Sequence, residues 1–198
     1  MIPAKSSSAL ALAAAAMLAA TTLVGHATPL HHAPDGEASR VAATLAMWNH
    51  IGDKLLAMAR DFPEDKYDFK VQKDERTFAQ NMLHVAAVDY DIATQVSGSH
   101  IGPDFGTDKH NPRRESYKTK ADVVKLLENA VAAGAKVITQ QGEAGLDRTQ
   151  PLTWETGRSV VHIADIWWTG IEHSAEHFGQ LVVYYRANNL VPPESRPR

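Results

Sequence analysis

The chain has 198 residues, no cysteine, 20 lysines and arginines against 23 acidic residues, and a net charge of −3 with histidines neutral. Such a chain can bury a full core as one domain, has no disulfide framework and no thiol nucleophile, and lacks the basic stripe that nucleic-acid binding requires. Any metal it holds must be ligated by nitrogen and oxygen.

The first segment carries Lys5, a serine run, an apolar stretch from Ala9 to Val24 and then Gly25-His26-Ala27. A charged start, an apolar middle and a small-x-small cleavage pattern predict a secretion signal peptide over residues 1–27, with an uncleaved membrane anchor as the alternative. No cysteine follows the run and no twin arginine precedes it, so the general secretory route is expected rather than a lipoprotein anchor. Cleavage would leave 171 residues with a net charge of −4, because only Lys5 is lost. The mature protein is then expected to be exported, periplasmic or secreted. Residues 28–38 contain Pro29, His31, His32, Pro34 and Gly36 and read as a flexible leader; the two histidines are taken as solvated. The remaining domain is residues 39–198.

From Ser39 the apolar period becomes helical. Val41, Leu45, Trp48, Ile51, Leu55 and Met58 form one stripe that Pro63 ends. A second helix is expected from about Asp74 to Ser97, with Phe78, Met82, Val85, Val88 and Ile92 facing the core, His84 at the edge of that stripe and Gly98 as the stop. Ser99 to Tyr117 is a long loop with Gly102, Pro103, Gly106 and Pro112, of the kind that lines a pocket mouth. The third helix starts at Thr119-x-x-Asp122, a capping box with a shortened acid, carries Val123, Leu127, Val131 and Ile138, and is expected to close at Gly142 and Gly145. The fourth is expected to start between Thr156 and Ser159 and to reach Asn188, where Asn188-Asn189 offers a left-handed cap and Pro192-Pro193 forbids continuation. Four amphipathic helices without an alternating strand pattern predict an all-α fold, a four-helix bundle. The long second and third connections permit an order other than simple up-and-down.

Three histidines stand out. His173 and His177 are four residues apart, so one helix face presents both imidazoles, on a row otherwise made of Ile166, Gly170, Leu181 and Tyr184. Two basic side chains on an inward row are costly unless something binds them. With His84 from a neighbouring helix they form a three-imidazole set that leaves open positions for water or substrate, as catalytic zinc sites do. The metal candidates are therefore His84, His173 and His177. Satisfaction by local hydrogen bonds in a core or at the surface is the plainer alternative.

Several motifs carry a resemblance: Asn81-Met82-Leu83-His84-Val85-Ala86, the run His173-Ser174-Ala175-Glu176-His177-Phe178-Gly179-Gln180-Leu181, and Tyr184-Tyr185-Arg186. Trp48, Leu55, Phe62-Pro63-Glu64 and Tyr67 fit the same pattern at the start, and Leu190-Val191-Pro192-Pro193-Glu194-Ser195-Arg196 fits its ending. Over about residues 40–196 the chain resembles the DinB-like (damage-inducible) family. The resemblance implies an up-down-down-up bundle with one divalent metal on His84, His173 and His177. It also implies thiol transferase or isomerase relatives that use a low-molecular-weight thiol, among many members without a known reaction. One departure is Glu176, where members often carry the first of two adjacent histidines; the second is the ligand, so the triad is unaffected.

His173-Ser174-Ala175-Glu176-His177 also spells the inverted zinc-protease motif, with Glu176 as general base. Only Glu194, past a double proline, offers a carboxylate side chain downstream, so that protease's third ligand is missing. Glu176 is a weak catalytic candidate, turned about 100° from His177 on the helix, and a solvated or second-sphere place suits it better. No glutamate precedes a histidine by three residues, which argues against a di-iron carboxylate bundle. The missing cysteines exclude covalent haem. A b-type haem on two axial side chains is the weaker alternative to a single facial metal. His162 lies eleven residues before His173, about 16 Å along a continuous helix, and reads as a core or pocket histidine. His50 is left unassigned, while His100 and His110 read as solvated loop residues. Trp167 and Trp168 read as packing anchors, one of which could wall the pocket. Gln180 reads equally as a partner behind a ligand or as a packing amide.

The functional expectation is an exported bundle binding one divalent ion that activates water or a substrate thiol, making it a metal-dependent hydrolase or a thiol or group transferase. Export weakens the thiol-transferase version, because small thiol cofactors belong mainly to the cytosol. The alternative is a non-catalytic envelope protein with a structural or carried metal. Imidazole ligation suits zinc or nickel first, with iron, cobalt and manganese also admissible. A small-molecule substrate is the expected partner, with no nucleic acid and, after signal cleavage, no membrane; a homodimer stays open.

Overall fold

A computed structural model describes residues 39–151 and 160–197, all within one compact unit spanning Gly36–Arg198. The expected signal peptide, the leader, and the stretch expected to open the fourth helix lie outside the described residues. Four helices dominate: α1 (Arg40–Asp61), α2 (Phe78–Ser97), α3 (Lys120–Asp147) and α4 (Ile163–Ala187).

Three of the four helices begin where a side chain satisfies the first free N–H groups, while α4 has no side-chain cap. Ser39 Oγ accepts from Ala42 N at the start of α1. Thr77 and Gln80 form a reciprocal box at α2, with Gln80 Oε1 accepting from Thr77 N and Thr77 Oγ1 from Gln80 N. That box places the start of α2 at Phe78, later than the expected Asp74. Thr119 and Asp122 do the same at α3, so the shortened acid still closes the ring. α1 stops at Asp61 because Phe62, ahead of Pro63, is extended. Gly98 ends α2 in the left-handed conformation.

Contacts between helix ends give the order. Arg40 at the start of α1 pairs with Asp147 at the end of α3, and Arg60 near the end of α1 with Glu128 near the start of α3, so these two run antiparallel. Tyr185 near the end of α4 donates to Met58 O near the end of α1, so α4 runs parallel to α1. Asn81 in the first turn of α2 donates to Tyr184 near the end of α4, so α2 opposes it. The order is up-down-down-up, as the family resemblance implied. Two parallel neighbours, α2 and α3, require a connection that runs back along the bundle, and residues 98–119 supply it. It arrives beside the end of α1, where Lys120 Nζ donates to Phe62 O and Lys120 N to Glu64.

Two features depart from the sequence reading. Gly142 leaves the helical region (φ 62°, ψ −178°), yet the chain resumes helix to Asp147, because the kink turns Glu143 onto Ser39 Oγ and Val41 N at the start of α1. The chain also makes a small antiparallel pair, β1 (Thr149–Pro151) with β2 (Val160–His162), in register Thr149 to His162. α4 therefore begins at Ile163, later than expected. The core runs the length of the bundle. Trp48 and Trp167 meet edge to face at 5.3 Å, and Phe62 stacks on Phe78 at 3.9 Å near Tyr185 at the end where the long connection arrives.

Candidate metal centre

α2 and α4 lie antiparallel and bring three imidazoles to one point between them. His84 comes from α2, and His173 and His177 from successive turns of α4. Ring centroids are 5.1 Å apart for His84 and His173, 4.9 Å for His84 and His177, and 4.6 Å for His173 and His177. One ligand nitrogen from each lies within 4.8 Å of the other two. His177 is 5% exposed, and the other two are half-buried. No carboxylate of the described residues joins this group.

Partners behind two of the rings set their tautomers. His84 Nδ1 lies 2.7 Å from His110 O, and a carbonyl can only accept, so His84 carries its proton on Nδ1 and turns a bare Nε2 inward. Asn81 does the same for His177. Its Nδ2 donates to Thr77 O and to Tyr184 Oη, which fixes the amide orientation and aims Oδ1 at His177 Nδ1, 3.2 Å away. Carbonyl and amide oxygens in these places orient a ligating imidazole and make it a better donor. His84 Nε2 and His173 Nε2 are 3.1 Å apart, the kind of edge two nitrogens make around one ion at about 2.0–2.1 Å from each. His173 Nδ1 is the one ring nitrogen of the triad that is buried without a hydrogen-bond partner.

The electrostatics keep all three rings neutral. Burial pushes His173 down to about 3, helped by His177 and His84. Burial and then His84 take His177 down to about 4, while Gln180 works the other way. His84 is lowered by burial, with its bond to the His110 carbonyl opposing. The positive charge of Arg76 depresses all three. A neutral imidazole is the ligating form, so these three lone pairs are available to a divalent ion at physiological pH.

The structure therefore gathers the three sequence candidates. Glu176 sits on the exposed side of α4 and adds nothing to the group. His162 is not a core histidine: it is exposed at the start of α4 and bonds Asp147 O, because β2 takes the place of the helical turn expected there. Trp167 is buried, but Trp168 is 62% exposed and walls nothing beside the triad. His50 and His100 are exposed.

His110 is the larger departure. It is held rather than solvated, with its ring Nε2 3.0 Å from Asp91 Oδ2, Lys109 Nζ on the other oxygen of the same carboxylate, and its carbonyl on His84. The roles of Asn81, Asp91 and Arg76 were also missed. Asn81 offered one signal, since it sits three residues before His84 and so shares its face. Asp89 is a further buried carboxyl, 2% exposed, held by Ser174 Oγ at 3.3 Å and pushed up to about 8 by burial; it contributes no ligand atom.

A three-nitrogen group with two of its tautomers fixed can hold one divalent ion and leave coordination positions open. A family model described as the DinB superfamily matches residues 47–181, a span containing all three histidines. No curated protein matches the chain. The sequence, the bundle and the match agree: the chain belongs to the DinB superfamily.

Proposed function

We propose that His84, His173 and His177 hold one divalent ion, and that the protein is an exported metal-dependent hydrolase or group transferase. The observation that carries the reading is the pair of fixed tautomers: His110 O and Asn81 Oδ1 each occupy the outer nitrogen of a ring whose other nitrogen faces its neighbours. Surface or core histidines need no such pre-orientation. A bound ion of this kind supplies Lewis acidity, lowering the pKa of a coordinated water or thiol. The side chains around it supply neutral donors, orientation and partial exclusion of solvent. Zinc or nickel is the first expectation for three imidazoles. Export rests on the residue 1–27 pattern, and no helix among the described residues is long and apolar enough to cross a membrane.

Elemental analysis of the untagged mature protein beside His173→Ala tests the site. About one metal per chain in the wild type and little in the variant supports it. Absence of metal in both, after incubation with zinc, nickel and manganese, refutes it. A structural metal would reveal itself differently, by a large loss of stability on chelation. A catalytic one would leave His177→Ala folded but without turnover.

A further inference from the structure

We propose that the cavity beside the three histidines is an anion subsite that takes the carboxylate of a small substrate, with Arg76 as its anchor. The proposal rests on the metal reading above. The cavity, of about 350 Å³, is lined by Arg76, Gln80, Asn111, Arg113 and Arg114 among others. None of the three histidines lines it, but two of its residues neighbour one of them or its support in sequence. Gln80 is one helical turn before His84 on α2, and Asn111 follows His110, whose carbonyl holds His84.

Arg76 is fastened on both sides of the triad's supports. Its carbonyl accepts from Tyr184 Oη, which Asn81, the partner of His177, also bonds. Its guanidinium donates through Nε and Nη2 to Asn111 Oδ1 at 3.2 and 3.0 Å. The group is thus held in place by a neutral amide. It forms no ion pair with a carboxylate among the described residues, whereas Arg114 is committed to Asp68.

Charge then decides what the cavity wants. Three neutral imidazoles compensate none of the charge of a divalent ion, and Arg76 adds another positive charge that all three rings feel. The nearby carboxylates are otherwise engaged or exposed. Asp91 is spent on Lys109 and His110, and Asp108 is exposed and bonded to Asn111. Asp74, Glu75 and Glu115 on the cavity wall are exposed, where water screens them. A ligand that brings one donor to the ion and a carboxylate to the guanidinium satisfies both excess charges.

The test uses the mature protein loaded with cobalt, whose visible spectrum reports the ion before any ligand is added. The probes are 3-mercaptopropionate and uncharged 2-mercaptoethanol, both read by thiolate-to-cobalt charge transfer. The wild type is expected to bind the carboxylate probe about tenfold tighter or more, the gain typical of one charge-assisted bond. Arg76→Gln should erase that preference, each protein's own mercaptoethanol affinity serving as the reference. Arg76→Lys, which keeps the charge but not the fork, should retain part of it and covers the case in which Arg76→Gln fails to fold. Equal binding of both probes by the wild type overturns the proposal while leaving the metal reading intact. So does a preference that survives in Arg76→Gln or is lost only in Arg113→Gln. A protein that takes up no cobalt overturns both readings, and the spectrum without thiol distinguishes that outcome from the others.

Discussion

His84 Nε2 stands 3.1 Å from His173 Nε2 across the α2–α4 interface. Because His84 carries its proton on Nδ1, this contact without an ion requires His173 to donate from Nε2. With an ion both nitrogens present lone pairs. The low proton affinity of the buried rings then governs how binding responds to pH. His173 titrates at about 3 and His177 at about 4, against 6.5 for a free histidine, with His84 also lowered. Metal affinity is therefore expected to stay nearly flat below the pH at which exposed histidines release a bound ion, and to fall only as the folded-state values are approached. The metal-free protein behaves differently. Above pH 6.5 neither the folded nor the unfolded chain protonates these rings. As pH drops below it the unfolded chain takes up protons first, so stability is lost progressively until about pH 4 to 3. Competition titrations and melts of the stripped protein from pH 7.5 to 4 check both halves. An affinity already falling between pH 7 and 6 would contradict the buried geometry.

Asn81 joins the fold to the site, since one amide bonds Thr77 O, Tyr184 Oη and His177 Nδ1. Asn81→Ala is expected to lower metal affinity by about 10- to 100-fold, the usual cost of removing the partner behind a ligating histidine. Asn81→Asp restores an acceptor for His177 but faces Thr77 O with a second acceptor. It should recover the affinity while losing about 1–3 kcal/mol of stability. Affinity that tracked stability in both variants would mean that Asn81 only packs.

The long connection is tied to the site by one carbonyl, and Asp91 holds that carbonyl in place through the His110 ring and Lys109. Asp91→Ala should free this stretch and weaken metal binding by up to about tenfold, less than losing a ligand, because the His84 tautomer can also be fixed by water. Hydrogen exchange of residues 105–112 should rise in the same variant. Unchanged exchange with reduced affinity would point to the Asp91 charge instead of its tether.

What could be read from the residues followed how local the cause was. His173 and His177 are legible because a four-residue spacing fixes their shared face, and the Thr119 box because its two bonds lie within one turn. The stripe from Val41 to Met58 and the stop at Pro63 needed nothing beyond α1 itself. Other features have distant causes. β2 is three residues long, too short for a periodic pattern, and exists because it pairs with Thr149–Pro151, so local spacing places His162 on a helix it only precedes. α3 passes Gly142 because Glu143 finds Ser39 and Val41, more than 100 positions earlier. His110, Asn81 and Arg76 form a second layer whose meeting depends on the route of the 98–119 connection, which no local spacing encodes. The match to the DinB superfamily, over residues 47–181, ends before the Leu190–Arg196 segment on which part of the resemblance rested.

The core makes its own prediction at Gly134. An alanine there would normally favour a helix by about 1 kcal/mol. In α3, however, a Cβ at this position would lie 2.2 Å from Trp48 Cζ2 and 2.5 Å from Cε2. Trp48 cannot easily yield: its Nε1 donates to Val131 O at 2.8 Å, and its ring meets the fully buried Trp167 in a T-shaped contact. Gly134→Ala should therefore destabilise the protein by about 1–3 kcal/mol, the cost of overfilling a packed interior, outweighing the gain in propensity. Gly134→Ala combined with Trp48→Phe removes the opposing ring atoms and should cost less than the sum of the two single changes. Denaturant melts of the four proteins measure that coupling, and a simple sum would show that α3 shifts aside to admit the methyl group.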